Sequence, residues 1–535
     1  MDSSLKQTKF FQDRLIISTI ILSGLFCLVL LVYHFLLDNF AAPGQYPSSI
    51  PEWNADRLMM AFFWKYKFNL YYPKDPVGPL ISDMYGPLLA LAYLPASLVN
   101  SPTVALVLGK LMSLVYFFTP VIWVYGGETW KNKKGFYLSI LALIAFIFFT
   151  TQIRTLSYDA FRICADCPAL GFSALACVIL YKEKNKPEIP LKKLLISSIL
   201  AVLAVLTKQI AAPILISLPV YLFLAYDFKV FKRYLACLAL SGVVISAVLL
   251  IAFNPQALLF NLITIPGNQP WFDGNNQTIT LFWDKLLMLL SAAQQLAGYC
   301  LLQGMIVGFW ILGTLPNDIQ KIKTWIQENP WLLFVIVSLF FIPTSLLGRV
   351  KAGGDANGMY TVYFLTLVAH LVLLEQATNL SPKSGQELLQ KISQTGLLSL
   401  VIILTIYNIN LPIPYIYKTF PSFFNNVHQV VYEYSKKNPG QVYFPWHPFS
   451  VLMAEHQLYH IDSGPFDRYL AGVPISKEEF MAYLPENFTQ IAIPAWADLR
   501  GEFGKFYLHY LPDFTRRIEV PELSGFVVYT TEQNS

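Results

Sequence analysis

The sequence has little charge for its length. Only 13% of its 535 residues are Asp, Glu, Lys or Arg, whereas 55% are hydrophobic and 15% are aromatic. A water-soluble core cannot bury so much apolar surface, so the composition excludes a soluble protein and indicates one that is integral to the lipid bilayer. The formal net charge of +5 is small and spread over short loops, which argues against nucleic acid as a partner.

Metal-binding and hydrolase motifs are also missing. The seven histidines show no metal-ligand spacing. Cys164 and Cys167 form one CxxC pair, but the second pair that a zinc site needs is absent. Neither an HExxH motif nor a nucleophile elbow occurs. The sequence therefore predicts no metal site of these kinds.

Apolar runs of membrane-spanning length are present instead. A helix needs about 20 apolar residues to cross a hydrocarbon core of roughly 30 Å. The first run, Leu15 to Leu37, is too long for a signal peptide and has no cleavage site, so it predicts a retained helix. Further runs lie near residues 84–99, 104–125, 135–151, 164–182, 194–207, 209–226, 235–253, 289–313, 330–347, 359–377 and 395–410.

Positive charges in the loops predict the orientation of these helices. Three cations precede the first helix, so residues 1–14 are expected in the cytoplasm and the long loop 38–83 outside. The lysine-rich loops then allow about eleven crossings within residues 15–410. The charges allow one crossing fewer than the number of apolar runs. Segment 84–99 is interrupted by two prolines, so we expect it to be a re-entrant or short helix or to fuse with its neighbour.

Lys208 lies in the middle of an apolar stretch. The lysine-rich loops ending at Lys193 and beginning at Lys229 enclose about 33 residues, which would form a helix of about 50 Å, too long for one crossing. Two short helices that meet at Thr207, Lys208 and Gln209 fit better and place Lys208 at the outer end. No acidic residue is near it in sequence, so its partner comes from elsewhere in the fold or is a ligand, and phosphate is the natural candidate.

The composition changes after the last apolar run. Residues 411–535 mix polar and aromatic side chains, and the parity of the crossings places them outside. Their length and pattern predict a small α/β domain. Strand-like runs occur at residues 441–444, 457–461, 490–494 and 525–530.

Carboxylates recur on the predicted outer face. Asp56 is either a general base oriented by its neighbours, or a helix cap or surface residue paired with Arg57. Asp159 and Asp166 lie at the outer start of a later helix, where Asp166 is either a functional carboxylate or an N-cap. Arg162, between them, could contact an anion or anchor the chain at the interface. Two acidic sites on one membrane face suggest chemistry rather than anchoring.

A second polar loop on this face spans residues 348–357. Arg349 and Lys351 are followed by a glycine pair, Asp355 and Asn357. Glycines allow a backbone to approach an anion closely, and the two cations could hold its charge. The alternative is a short interfacial loop whose cations touch lipid headgroups.

Together these features resemble the GT-C superfamily of membrane glycosyltransferases, which includes protein O-mannosyltransferases and the bacterial aminoarabinose transferase of lipid A. The resemblance covers most of residues 10–410. The chain departs from the family at Arg57, where Glu is frequent, and at Gly86, where the first proline of a Pro-Pro motif is replaced. The resemblance rests, in chain order, on Asp56, Tyr71-Tyr72-Pro73, Tyr85-Gly86-Pro87-Leu88, Arg162-x-x-x-Asp166, Leu206-Thr207-Lys208-Gln209 and Gly353-Gly354-Asp355-Ala356-Asn357.

The resemblance implies a polytopic α-helical fold of GT-C type with the small α/β domain outside, in a cell inner or plasma membrane. It implies transfer of a hexosyl or pentosyl group, with inversion, from a polyprenyl-phosphate sugar to a hydroxyl of a lipid, polysaccharide or protein. Asp56 would be the general base, with Asp83 as its nearest rival. Asp166 would orient the acceptor or steady Arg162. The phosphate would be held by Lys208, Arg349 and Lys351.

No cofactor is required by this scheme, although Asp56 and Asp166 could hold a divalent cation. Two other classes remain open. One is a transporter or flippase of a lipid-linked or anionic solute, although the sequence shows no duplicated halves and its large first outer loop suits an enzyme better. The other is a non-catalytic assembly subunit with the same fold, which should tolerate Asp56→Asn.

Overall fold

The computed structural model describes residues 2–37, 51–75, 78–81, 83–126, 133–153, 156, 160–184, 186–269, 283–284, 286–291, 293–294, 314–316, 318–350, 356–378, 386–407, 416–417, 420–461, 463–495, 507 and 509–531. The predictions made for Asp159, Lys351 and Asp355 lie outside these ranges. Most of the apolar run 289–313 also lies outside them.

Helices dominate the described chain up to residue 407. They are α1 (Asp2–Leu37), α2 (Pro51–Met59), α3 (Phe63–Tyr66), α4 (Leu88–Ala92), α5 (Pro102–Tyr125), α6 (Lys133–Gln152), α7 (Asp166–Tyr181), α8 (Leu191–Thr207), α9 (Ile214–Ala225), α10 (Phe228–Ala252), α11 (Pro255–Leu259), α12 (Ile265–Asn268), α13 (Ile319–Glu328), α14 (Trp331–Val350), α15 (Tyr360–Thr378) and α16 (Gln386–Tyr407). Short 3-10 turns span Met60–Phe62, Leu94–Leu98, Gln209–Ala211 and Ala356–Met359, and a π-helical turn spans Phe260–Thr264.

Within the described residues, five helices are long and apolar enough to cross a membrane. Apolar residues occur on every face of these helices, as expected where lipid or other helices cover all faces. α5 also shows clear start signals, because the Ser101 side chain accepts a hydrogen bond from the Val104 N–H and Pro102 occupies the first turn. The five stretches are Arg14–Leu36, Pro102–Tyr125, Gly135–Gln152, Phe228–Ala252 and Trp331–Arg349.

Two sequence predictions about shorter helices hold. The segment 84–99 contains only α4 and the 3-10 turn Leu94–Leu98, each of five residues, and both are too short to cross a bilayer. The apolar stretch around Lys208 is a helical hairpin, with α8 ending at Thr207 and α9 beginning at Ile214. Lys208 therefore lies at the tip of two short helices, as expected.

The segment after residue 420 contains short helices and a four-stranded sheet. The helices are α17 (Val427–Lys437), α18 (Pro448–Glu455), α19 (Ser463–Leu470) and α20 (Lys477–Met481), with 3-10 turns at Phe420–Phe423 and Pro521–Leu523. The strands are β1 (Val442–Tyr443), β2 (Gln490–Pro494), β3 (Arg516–Ile518) and β4 (Phe526–Thr530), in the order β1-β2-β4-β3. β1 and β2 are parallel, and the other pairs are antiparallel.

The sheet separates two small apolar clusters. Ile491 and Ile493 of β2 face one cluster, and Ala492 between them faces the other, which is the alternation expected of a strand covered on both sides. The first cluster also contains Leu80, a residue of the first outer loop that is fully buried. The sheet segment therefore shares its core with that loop. The predicted strand at 457–461 is wrong, because this stretch is irregular.

Candidate functional site

The centre of the candidate site is the tip of the α8–α9 hairpin. Lys208 has extended backbone between α8 and a 3-10 turn. Its Nζ donates to the Oδ1 atom of Asp166, and the two side chains are only 15% and 3% exposed. The missing partner of Lys208 is thus supplied from elsewhere in the fold by Asp166.

Asp166 is placed by the start of α7. It is the first residue of that helix, where a negative charge is favourable. The Tyr360 hydroxyl donates to the Asp166 carbonyl over 2.7 Å, which fixes the helix start against α15. The residue before the helix is Ala165, and no side chain caps this end. The alternative interpretation of Asp166 as a simple N-cap is therefore wrong.

Tyr85 lies close to two cations. The Lys208 Nζ is 5.4 Å from the centroid of the Tyr85 ring, and the Arg57 guanidinium carbon is 6.0 Å from the same centroid. Arg57 also lies 5.7 Å from the ring of Trp53. The Tyr71 hydroxyl donates to the Tyr85 carbonyl over 2.7 Å and holds the backbone in place. Cations at such distances are attracted by the electron-rich ring face.

Gly86 explains how the first outer loop reaches the hairpin tip. Its N–H donates to the Thr207 carbonyl over 3.1 Å. A Cβ atom at this position would lie 1.6 Å from the Leu206 carbonyl oxygen. Only glycine permits this approach without moving backbone. Gly86 is thus a point at which the loop and the hairpin touch.

Asp83 is a buried carboxyl group next to this contact. Its Oδ1 accepts a hydrogen bond from the Tyr85 N–H over 3.1 Å. Its Oδ2 has no hydrogen-bond partner among the residues that the structure describes, and the residue is 3% exposed. Burial raises the pKa of Asp83 to about 7, although the Tyr85 N–H and the charge of Arg57 oppose the rise. Asp83 therefore titrates near neutral pH.

Asp56 is an interior residue of α2 and is 7% exposed. Its interpretation as a helix cap or surface residue is therefore wrong. Asn54, two residues earlier, accepts a hydrogen bond from the Ile163 N–H over 2.8 Å. This bond ties α2 to the stretch that contains the buried Arg162 and leads into Asp166. The two acidic segments predicted to share a face are thus packed against each other.

One described end of the second polar loop lies near the same tip. Arg349 is in the last turn of α14, and a Cβ atom on the neighbouring Gly348 would lie 3.1 Å from Ile210 of the hairpin. Asn357 belongs to the 3-10 turn that packs on this end of α14. Lys351, Asp355 and Asp159 lie outside the described part of the chain.

Sequence reasoning missed one member of the site, Arg57. The sequence marks Arg57 only as a difference from the GT-C pattern and as a partner for Asp56. Its guanidinium group lies beside Tyr85. The signal available was its position, one residue after Asp56 on a helix that faces the site. In the described residues no cluster of three or more His, Cys, Asp or Glu side chains could hold a metal ion. A cation held by Asp56 and Asp166 would compete with Lys208 for the Asp166 carboxylate.

Comparisons with known proteins bear on this arrangement. No protein-family model matches the sequence, and no curated protein matches it. Among solved structures, the chain is similar to ArnT from Cupriavidus metallidurans bound to undecaprenyl phosphate, with a TM-score of 0.51 and 12% identity over 95% of this chain and 97% of that one. It is also similar to the Archaeoglobus fulgidus oligosaccharyltransferase in complex with Zn and sulfate, with a TM-score of 0.42 and 11% identity over 97% of this chain and 73% of that one.

The ArnT likeness shows the fold. It extends over nearly all of both chains. The predicted resemblance is thereby confirmed at the level of the fold, and the described chain is mostly helical, with helices suited to a membrane.

Proposed function

We propose that this protein is a membrane glycosyltransferase that takes a sugar from a polyprenyl-phosphate donor on the non-cytoplasmic face and transfers it to an acceptor hydroxyl. The fold supports this proposal, since the similar protein ArnT was crystallised with undecaprenyl phosphate. The observation that carries it is the Lys208–Asp166 pair beside Tyr85, at the tip of an apolar hairpin. A polyprenyl phosphate needs an apolar surface for its chain and a cation for its headgroup.

The reaction forms one bond and breaks one. The acceptor oxygen attacks the anomeric carbon of the sugar, and the bond from that carbon to the phosphate oxygen breaks with inversion. The Asp56 carboxylate accepts the proton of the acceptor hydroxyl, and polyprenyl phosphate leaves with the bonding electron pair. Asp56 is suited to this role because α2 holds it, mostly buried, against the segment that leads to Asp166.

The main electrostatic task is to hold the charge of the leaving phosphate. Lys208 performs this task when the phosphate replaces Asp166 as its partner, and Arg57, which also lies beside Tyr85, provides a second cation. Arg349 and Lys351 are the further candidates for holding the charge of the phosphate. Asp166, once released, orients the acceptor or pairs with Arg162. Asp159, Asp355 and Asn357 are further candidates for contacts with the substrates.

The proposal includes the orientation predicted from the sequence. About eleven helices cross a cell inner or plasma membrane, the N-terminus is cytoplasmic, and the sheet segment lies outside as a small α/β domain. Residues 15–410 form the catalytic domain. The acceptor is a lipid, polysaccharide or protein, and the transferred group is a hexosyl or pentosyl sugar. The scheme needs no metal ion or other cofactor.

Transfer of labelled sugar from a mixed pool of polyprenyl-phosphate sugars tests the proposal. Purified full-length protein in lipid would be compared with Asp56→Asn and with Asp75→Asn, an exposed carboxylate of the same outer loop. We expect wild type and Asp75→Asn to transfer and Asp56→Asn to lose at least about 100-fold, the usual contribution of a general base. Equal transfer by Asp56→Asn would move the base to Asp83 or Asp166. Binding of the donor without transfer would favour a transporter or a non-catalytic subunit.

A further inference from the structure

The first outer loop between Tyr71 and Gly86 has no helix or strand in its described residues. Its backbone groups are instead bound by distant parts of the chain. The hairpin binds one end of the loop, since Gln209 Nε2 donates to the Met84 carbonyl over 3.0 Å. Asn261, in the π-helical turn, donates to the Tyr72 carbonyl over 2.7 Å. The sheet segment after residue 420 contacts residues 73, 74 and 80 of the loop.

Arg468 of α19 is the main polar anchor from that segment. Its Nη1 donates to the Lys74 carbonyl over 3.0 Å, and its Nη2 donates to the Pro73 carbonyl over 3.2 Å. The guanidinium carbon lies 4.9 Å from the ring centroid of Phe260. The residue is 1% exposed and forms no ion pair within the described chain. Burial lowers the pKa of Arg468 to about 10, so the group stays charged at neutral pH.

Two further contacts join the same segment to the middle of the loop. The His460 Nδ1 accepts a hydrogen bond from the Leu80 N–H over 2.7 Å. The side chain of Leu80 is buried in the core of the sheet segment. A Cβ atom on Gly464 would lie 1.8 Å from the Leu80 carbonyl oxygen, so only glycine allows the two backbones to meet there.

These contacts are spread along the loop, from its start near residue 73 to its end at residue 86. Arg468 holds residues 73 and 74, His460 and Gly464 hold residue 80, and the hairpin holds residues 84 and 86. Asp83 and Tyr85, the loop residues of the site, lie at the far end of this series. Within the described chain neither forms a hydrogen bond with the sheet segment, so the loop backbone is one route by which that segment can act on them.

We propose that Arg468 is a positioning residue. Its hydrogen bonds hold the first outer loop against the sheet segment, and this keeps Tyr85 and Asp83 in place in the site that contains Lys208. A planar guanidinium group can bind two neighbouring carbonyls at once, which a lysine ammonium at that position cannot reproduce. The sheet segment thereby forms part of the donor site although it supplies no group to the phosphate. The consequence for donor affinity rests on the proposed function, whereas the fastening of the loop does not.

The test compares Arg468→Met and Arg468→Lys with Arg517→Met, which removes an exposed cation from the same sheet segment. Full-length proteins in lipid are analysed by amide hydrogen exchange and by binding of undecaprenyl phosphate. We expect Arg468→Met to speed exchange at least tenfold in peptides covering residues 78–86, while peptides covering β2 and β4 keep wild-type protection. Arg468→Lys should fall between these values, and Arg517→Met should match wild type.

Donor binding should follow the same order. Arg468→Met should weaken undecaprenyl phosphate binding about tenfold, and Arg468→Lys should weaken it less. Wild-type exchange in residues 78–86 of both Arg468 variants would overturn the proposal. Loss of protection across β2 and β4 in Arg468→Lys would also overturn it, since Arg468 would then serve folding alone. If wild type bound no undecaprenyl phosphate while the exchange result held, the proposed function would fail and the fastening of the loop would stand.

Discussion

Lys208 and Arg468 are both cations removed from water, but their surroundings differ. Lys208 is paired with the carboxylate of Asp166 and keeps 15% of its side chain exposed. Arg468 is 1% exposed and binds only two backbone carbonyls and the face of Phe260. A side-chain carboxylate can rotate away and another anion can take its place, whereas backbone carbonyls are fixed by the fold. The surroundings of Lys208 suit a site that binds and releases phosphate. Those of Arg468 suit a lasting structural contact between two parts of the chain.

The largest loss of stability should come from removing only one of the two partners in the Lys208–Asp166 pair. Asp166→Asn leaves a buried ammonium group without its carboxylate, which should lower the free energy of unfolding by about 3–5 kcal/mol. The double variant Lys208→Met with Asp166→Asn leaves no charge unpaired and should recover most of this loss. Denaturant unfolding in lipid measures both. Equal stability of Asp166→Asn and wild type would show that the pair is not formed.

A smaller but specific effect is expected at the contact between the loop and the hairpin tip. Gly86→Ala puts a methyl group 1.6 Å from the Leu206 carbonyl oxygen and must displace backbone. We expect about 2 kcal/mol of destabilisation, which is within the range for overpacked sites. Gly242→Ala is the matched control, because nothing lies within 4 Å of its added carbon. That variant should be neutral or more stable by up to about 1 kcal/mol, since alanine favours a helix interior. Equal unfolding midpoints for the two variants would contradict the close approach.

A third effect is a dependence of stability on pH, which comes from Asp83. Because the folded pKa of about 7 lies above the ordinary value of 3.8, Asp83 favours folding most below pH 4, and this contribution is lost as the pH rises towards 7. Asp83→Asn keeps the acceptor for the Tyr85 N–H but carries no charge. Its stability relative to wild type should rise by up to roughly 1.4 kcal/mol per pH unit between pH 4 and pH 7 and then level off. A constant difference across that interval would show that Asp83 is not buried as described.

The sequence allowed some of these features to be predicted. The hairpin tip at Lys208 could be predicted because a lysine inside an apolar run and the length of that run are local facts. The strands β1, β2 and β4 also follow from local alternation and lie within the predicted runs. β3 was missed because it has three residues and begins with two arginines.

The remaining features depend on partners that are distant in sequence. Residues 457–461 have the composition of a strand, but His460 there binds the Leu80 N–H, 380 residues away, instead of joining the sheet. The Asp166 partner of Lys208 and the Arg57 contact with Tyr85 depend on the packing of separate helices. Arg468 gave no signal at all, because its partners are backbone carbonyls. No local pattern distinguishes such an arginine from an exposed one.

Binding of undecaprenyl phosphate tests most directly the claim that the hairpin tip holds the donor phosphate. Wild type would be compared with the neutral double variant Lys208→Met with Asp166→Asn, and with Lys67→Gln, which removes an exposed lysine from the first outer loop. We predict that the double variant binds at least about tenfold more weakly, which corresponds to about 1.4 kcal/mol, and that Lys67→Gln binds like wild type. Equal affinity of wild type and the double variant would contradict the account.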